Sequence, residues 1–274
     1  MKWMQLAGAA ILLCGAVLLS ACGGEAPASA APPSSEAPAV SQPVQPEAPP
    51  SSETASSSAT AEPASSSEEK KPWDDMIIPA GCKAEWQMVA GELVLKKYDV
   101  GNQTAVILPT GKPYRIEMAC FAGNFKIKSV VFPEDVFEIG LSAFRGCAAL
   151  RQVDFSQCRR LKIGTAAFEN TALEQVVLPE CVREMGTNVF AECTKLTDAG
   201  INGLTEIPEQ TFARCSSLHT VRLGLGVTRI GVNAFYDCPL ETIYYSGDWD
   251  TLVEKSDLTN KELLESAAHD PTER

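Results

Sequence analysis

Cysteine is the residue with the most latent chemistry in this chain, which holds ten of them against two histidines. Thiols can pair as disulfides, ligate a metal or act as nucleophiles, and their spacing separates these uses. No C-x-x-C pair occurs, which removes thioredoxin-type redox chemistry and the common zinc frameworks. Four of the eight thiols from Cys82 onward, namely Cys147, Cys193, Cys215 and Cys238, stand three residues after a phenylalanine. A slot filled that regularly is a packing position, where a thiol behaves as a small apolar group. Free buried thiols are therefore expected over a disulfide framework, with Cys82, Cys158 and Cys181 the least determined.

The histidines offer little. His269 lies in a charged tail beside Asp270 and Pro271, so a catalytic triad would have to use His219, which follows Leu218 and should face solvent. There is no G-x-S-x-G elbow, no H-E-x-x-H and no Walker-type loop. Gly224 and Gly226 form a lone G-x-G with Arg229 in place of the third glycine, a turn and not a nucleotide cradle. Two carboxylates at glycosidase distance would need a cleft-forming insertion, and none is evident. No catalytic residue, metal ligand or cofactor is assigned. The net charge is −12, and from Pro72 to Arg274 there are 20 basic against 28 acidic residues. That sign disfavours a nucleic-acid partner.

The N-terminus carries its own chemistry. Met1, Lys2 and Trp3 precede an apolar core from Leu6 to Leu19, whose 14 residues fall short of the ~20 a spanning helix needs, so it reads as a secretory leader. It ends in Leu19, Ser20, Ala21 and Cys22, followed by Gly23 and Gly24, and this run resembles the lipobox of bacterial lipoproteins. The resemblance implies removal of residues 1–21 and acylation of Cys22, hence a lipid anchor on the outer face of a bacterial membrane. Each buried methylene of such an anchor contributes ~0.8 kcal/mol. Residues 22–71 then form a tether. From Glu25 to Lys71 the chain holds 12 Ser, 11 Ala, 9 Pro and 7 Glu, too few apolar groups to offset the entropy of ordering.

What must position any remaining site is a repeat. Phe121, Phe144, Phe168, Phe190, Phe212 and Phe235 recur at spacings of 23, 24, 22, 22 and 23 residues. Five or six positions after each comes Ile127, Leu150, Leu173, Leu196, Leu218 or Leu240. Three residues later stands Val130, Val153, Val176, Ala199, Val221 or Ile243. Ile139, Ile163, Met185, Ile207 and Ile230 each precede the next phenylalanine by five. One such unit is too small for a core, and stacking joins the units into a solenoid. Runs such as Val153-Asp154-Phe155 alternate as short strands, which neighbouring turns would pair in parallel. Pro109, Pro133, Pro179 and Gly224 end the strands, and Gly140, Gly164, Gly186 and Gly231 are expected to turn the chain.

These residues resemble the BspA-like leucine-rich repeats, with a unit near A-F-x-x-C-x-x-L-x-x-V-x-I-P-x-x-V-x-x-I-G. Asn124 and Thr171 replace the cysteine, and Pro208 stands where glycine is usual. The implied fold is an α/β solenoid of six or seven turns with a parallel sheet on one face. Residues 72–120 would form an N-terminal cap and first divergent repeat, 121–245 the repeats, and 246–274 a cap with a short amphipathic helix capped by Thr259 and Glu262.

In that family the residues flanking the inward valine face outward, and stacked turns present them as one recognition surface. Arg151, Asp154, Glu174, His219, Arg222 and Tyr244 form the candidate binding face; arginine and tyrosine are frequent at hot spots. The expected function is non-catalytic binding of a protein or glycan by a monomeric, surface-exposed lipoprotein, with adhesion implied by the family. Envelope scaffolding on the same cell is the alternative, and a glycan hydrolase a second one.

Overall fold

The computed structural model describes residues 70–270. The leader, Cys22, nearly all of the tether and the last four residues lie outside the described residues. Two residues with positive φ, Ala90 and Gly91, turn strand β1 (Lys83–Val89) into the antiparallel β2 (Glu92–Asp99), as a tight two-residue hairpin requires. From there the chain winds as a parallel-sheet solenoid. One side carries β3 (Ala105–Ile107), β5 (Ser129–Val131), β7 (Gln152–Asp154), β9 (Gln175–Leu178), β11 (Asp198–Ile201), β13 (Thr220–Leu223) and β15 (Thr242–Tyr245). A second side carries β4 (Tyr114–Ile116), β6 (Val136–Ile139), β8 (Leu161–Ile163), β10 (Val182–Met185), β12 (Glu206–Ile207) and β14 (Arg229–Ile230). The sequence led us to expect parallel strands on one face only. The isoleucine marks before each phenylalanine turn out to be the ends of strands of their own, too short and too bulged to alternate legibly.

The apolar repeat positions meet in one core, with Phe144, Phe168, Phe190 and Phe212 fully buried. The six repeat rings stack in a row at centroid distances of 4.5, 5.3, 5.6, 5.5 and 5.5 Å, with interplanar angles of 11° or less. Such stacks contribute beyond the area they bury. Because each ring is covered on its faces by those of adjacent turns, no turn is stable by itself.

The third side bears no helix. Two residues per turn, one two before and one two after each phenylalanine, take positive φ: Ala119 and Gly123, Ser142 and Gly146, Ala166 and Asn170, Asn188 and Glu192, Gln210 and Arg214, Asn233 and Asp237. A side chain in this conformation costs about 1–2 kcal/mol, and regular hydrogen bonding between turns offsets it. The N–H groups of Ser142, Phe144 and Gly146 donate to the carbonyls of Thr165, Ala167 and Glu169 in the next turn at 2.8–2.9 Å. The same three-bond set recurs at every junction from Ala119 to Tyr236. In each bond the N–H belongs to the earlier turn and the C=O to the later one.

The repeat glycines act differently from expectation. Gly140, Gly164, Gly186 and Gly231 do not have positive φ; a Cβ there would lie 2.5–2.8 Å from backbone atoms of the preceding turn. They permit close stacking and do not make the turn. Each also donates its N–H to the isoleucine carbonyl one turn earlier, as Gly186 does to Ile163 at 2.8 Å. Pro208 holds this slot after β12 and has no N–H to give. The second-side sheet lapses there, with β10 ending one sheet and β12 and β14 forming another.

The C-terminal end is closed by α1 (Trp249–Lys255), α2 (Leu258–Ser266) and β16 (Ala268–Asp270). The α1 helix was not anticipated; Asp248 caps it by accepting from Thr251 N at 3.1 Å. The N-cap of α2 is Asp257, which accepts from Thr259 N at 2.9 Å. Thr259 does not cap it because its hydroxyl accepts from Asn233 N at 2.8 Å. With Ser256 Oγ on Ile230 N and Asn260 Nδ2 on Gly231 O, the helices satisfy backbone groups of the last turn. His269 is not in a loose tail. It lies in β16, which extends the first-side sheet in parallel, stacks on Trp249 at 4.1 Å and has Nε2 at 2.7 Å from Tyr245 O.

Candidate docking face

The thiols settle first. Cys147, Cys193, Cys215 and Cys238 are buried and free, as the repeated slot predicts. The slot has a second reason that the sequence did not show. Each Sγ donates to the carbonyl of the phenylalanine one turn earlier: Cys147 to Phe121, Cys193 to Phe168, Cys215 to Phe190 and Cys238 to Phe212, at 3.0–3.2 Å. Burial pushes the Cys147 and Cys193 thiols up to about 11 and that of Cys120 to about 12, so these groups stay protonated and unreactive. Cys158 and Cys181, left open by the sequence, are joined as a disulfide between adjacent turns. Among the described residues no group of three His, Cys, Asp or Glu is placed to hold a metal ion.

The six candidate binding residues all lie on the first side and fall into two groups. Around β7 and β9, Arg151, Asp154 and Glu174 are exposed, and Arg151 Nη1 meets Glu174 Oε1 at 3.1 Å. With both side chains more than half exposed, this pair adds little stability. Around β13 and β15, Arg222 pairs with Asp198 and lies over the Tyr244 ring at 5.1 Å from its centroid, a cation–π contact. Gly200 stands beside Arg222 in register and has no side chain to bar its reach to Asp198. His219 is half-buried, its Nδ1 donating to Ser217 O at 2.5 Å, which sets it as a structural residue of the face.

Between β7 and β9 the first-side sheet lapses: β7 ends a three-stranded sheet and β9 begins a five-stranded one. The N–H of Glu174 still reaches Arg151 O at 3.2 Å. Val153 at this lapse is only partly buried, whereas Val130, Val176, Ala199, Val221 and Ile243 in the same column are buried. An open groove of about 990 Å³ runs over the lapse, lined by Val131, Val153, Val177, Gln152, Gln175 and Lys195 among others. Nothing in the repeat pattern marks the lapse. Its sequence trace is two aliphatic residues at outward positions, Val131 and Val177, the latter 61% exposed.

Residues 114–242 match the family described as the BspA type leucine rich repeat region, in six copies. The repeat array is a BspA-type leucine-rich repeat region. The structure of a leucine rich repeat protein from T. pallidum, TpLRR, is similar to this chain at 25% sequence identity, covering 58% of this chain and 78% of that one with a TM-score of 0.50. A leucine rich cell surface protein from Faecalibacterium prausnitzii is 26% identical, covers 63% of this chain and 55% of that one, and has a TM-score of 0.44. No curated protein matches the chain. The BspA-type repeat accounts for the outward rows of side chains on the first side; the groove at β7 and β9 is a local departure from it.

Proposed function

We propose that the chain is an exported lipoprotein, anchored through Cys22 and a Ser/Ala/Pro/Glu-rich tether, whose first-side sheet docks another macromolecule at the cell surface without catalysis. The observation that carries the docking role is an outer face, built of two successive parallel sheets, that presents Arg151, Glu174, Arg222 and Tyr244 beside an open groove. The anchor rests on the leader and the Leu19-Ser20-Ala21-Cys22 run. Supporting a binding role over hydrolysis, every described carboxyl with a shifted pKa, namely those of Asp75, Glu117, Asp248 and Asp257, is lowered. A general acid would need the opposite shift.

Expression of the full chain with a radiolabelled fatty acid tests the anchor. Label and membrane association are expected for the native chain and lost in Cys22→Ser; a Cys22→Ser chain that keeps both overturns it. Docking is tested by binding of intact cells to host matrix proteins and to the cell's own envelope extract. Loss on Arg222→Ala with Tyr244→Ala is expected, and unchanged binding removes this face from the reading.

A further inference from the structure

The two sheet lapses differ in origin. The one at β10 and β12 follows from Pro208, but neither β7 nor β9 contains proline or glycine, and the phenylalanines of these turns stack as closely as elsewhere at 5.3 Å. The core is thus intact while the strands above it part. Parting leaves strand-edge N–H and C=O groups of β7 and β9 outside a ladder, together with the half-exposed Val153. Just beyond the C-terminal ends of both strands, the Cys158–Cys181 bond ties the same two turns together. The opening is therefore held at both ends, by this bond and by Glu174 N on Arg151 O at 3.2 Å.

The groove is charged unevenly. Arg151, Glu174 and Lys195 line its end toward the strand N-termini, a net positive set, and Asp154 with Ser156 and Pro179 lines the other. The middle is aliphatic, with Val131 and Val177 on either side. The one aromatic ring in its lining, Phe155, is 3% exposed, so no flat platform is offered to a sugar ring. An aliphatic floor with opposite charge at its two ends is what the side chains of an extended polypeptide laid over the sheet can cover; the facing edges of β7 and β9, still joined by Glu174 N to Arg151 O at 3.2 Å, leave no room for an added strand.

We propose that the β7/β9 groove binds an extended segment of a partner protein, laid along the strands with an acidic side chain toward Lys195 and a basic one toward Asp154. This deepens the docking reading and rests on it. A run of four to six residues, about 13–20 Å, spans the groove.

The test pans a displayed random dodecapeptide library on the full chain in detergent and measures the selected peptides by fluorescence anisotropy. Selected sequences should carry an acidic and a basic residue at an even spacing, and reversing the charge of either should weaken binding at least tenfold. Val177→Glu should weaken it at least tenfold as well, whereas Leu225→Glu, at a residue equally exposed on a loop, should not; thermal melting of both variants checks folding. Peptides that ignore Val177→Glu but are lost on Tyr244→Ala overturn the groove and leave the docking face standing. Oligosaccharides on a glycan array that bind where peptides do not, and are lost on Val177→Glu, do the same. If neither class binds the face, both readings fall.

Discussion

The Cys215 thiol donates to the Phe190 carbonyl, one turn earlier, at 3.1 Å. The same carbonyl accepts from Cys193 N at 3.3 Å within its own turn, so the thiol is a second donor to an oxygen with two lone pairs. Replacing Cys215 by Val removes the donor and adds one methyl group to a closed slot, with an expected cost of about 1 kcal/mol from the lost hydrogen bond and more from crowding. Cys215→Ala also leaves a cavity and should cost about 2 kcal/mol. Urea melts of both variants check these costs; a Val variant as stable as the native chain would reduce the slot to packing alone.

Mass spectrometry of the denatured, unreduced chain after alkylation should find the six thiols of Cys82, Cys120, Cys147, Cys193, Cys215 and Cys238 modified and Cys158 linked to Cys181. The bridge spans 23 residues, and closing a loop of that size stabilises by about 3 kcal/mol in the chain-entropy account. Cys158→Ala with Cys181→Ala should lower the denaturation midpoint by a corresponding amount.

Alkaline pH should unfold the solenoid earlier than its surface charges alone would. The Cys147 and Cys193 thiols ionise near 9.0 when unperturbed and near 11 in the fold, so between those values the folded chain holds protons that the unfolded chain has lost. Their contribution is complete below pH 9 and declines as pH rises through the folded values, at about 1.4 kcal/mol per pH unit per thiol. Urea midpoints from pH 8 to 11 should fall in that window, and less steeply in Cys193→Ala.

Gly186→Ala places a Cβ 2.5 Å from Thr165 N, a backbone contact that no rotamer change relieves. The expected loss is about 2 kcal/mol or more. Gly200→Ala serves as the control: its Cβ would lie 3.5 Å from Val177 Cγ1, an ordinary contact, and thermal melting should separate the two variants clearly.

What the sequence disclosed was whatever recurs in the core. The phenylalanine column and the inward valines leave one apolar residue per turn and the cysteine slot one in four of the six turns, and all three reappear in the structure as stacked rows. Second-side strands were missed because two of them have only two residues and bulges break the register of others. The helix cap fell two residues early because Asp257 and Thr259 are both good cap residues, and a contact with Asn233, 26 residues away, decides between them. For the candidate face, outward position was legible and grouping was not. Arg222 meets Tyr244 through register, but the parting of β7 from β9 arises in backbone bonding that carries no residue signature.

The aligned amides of the third side give the array a sense of direction along its axis. Along that side their dipoles add from turn to turn, so it is positive where it finishes and negative where it begins, the reverse of a single α-helix, while the glycine N–H groups of the second side point the other way. The segment that lids the positive terminus carries six acidic residues between Asp248 and Glu265 against two lysines. The acidity of that lid is thus matched to the N–H end of the third side that it covers, where Thr259 Oγ1 accepts from Asn233 N.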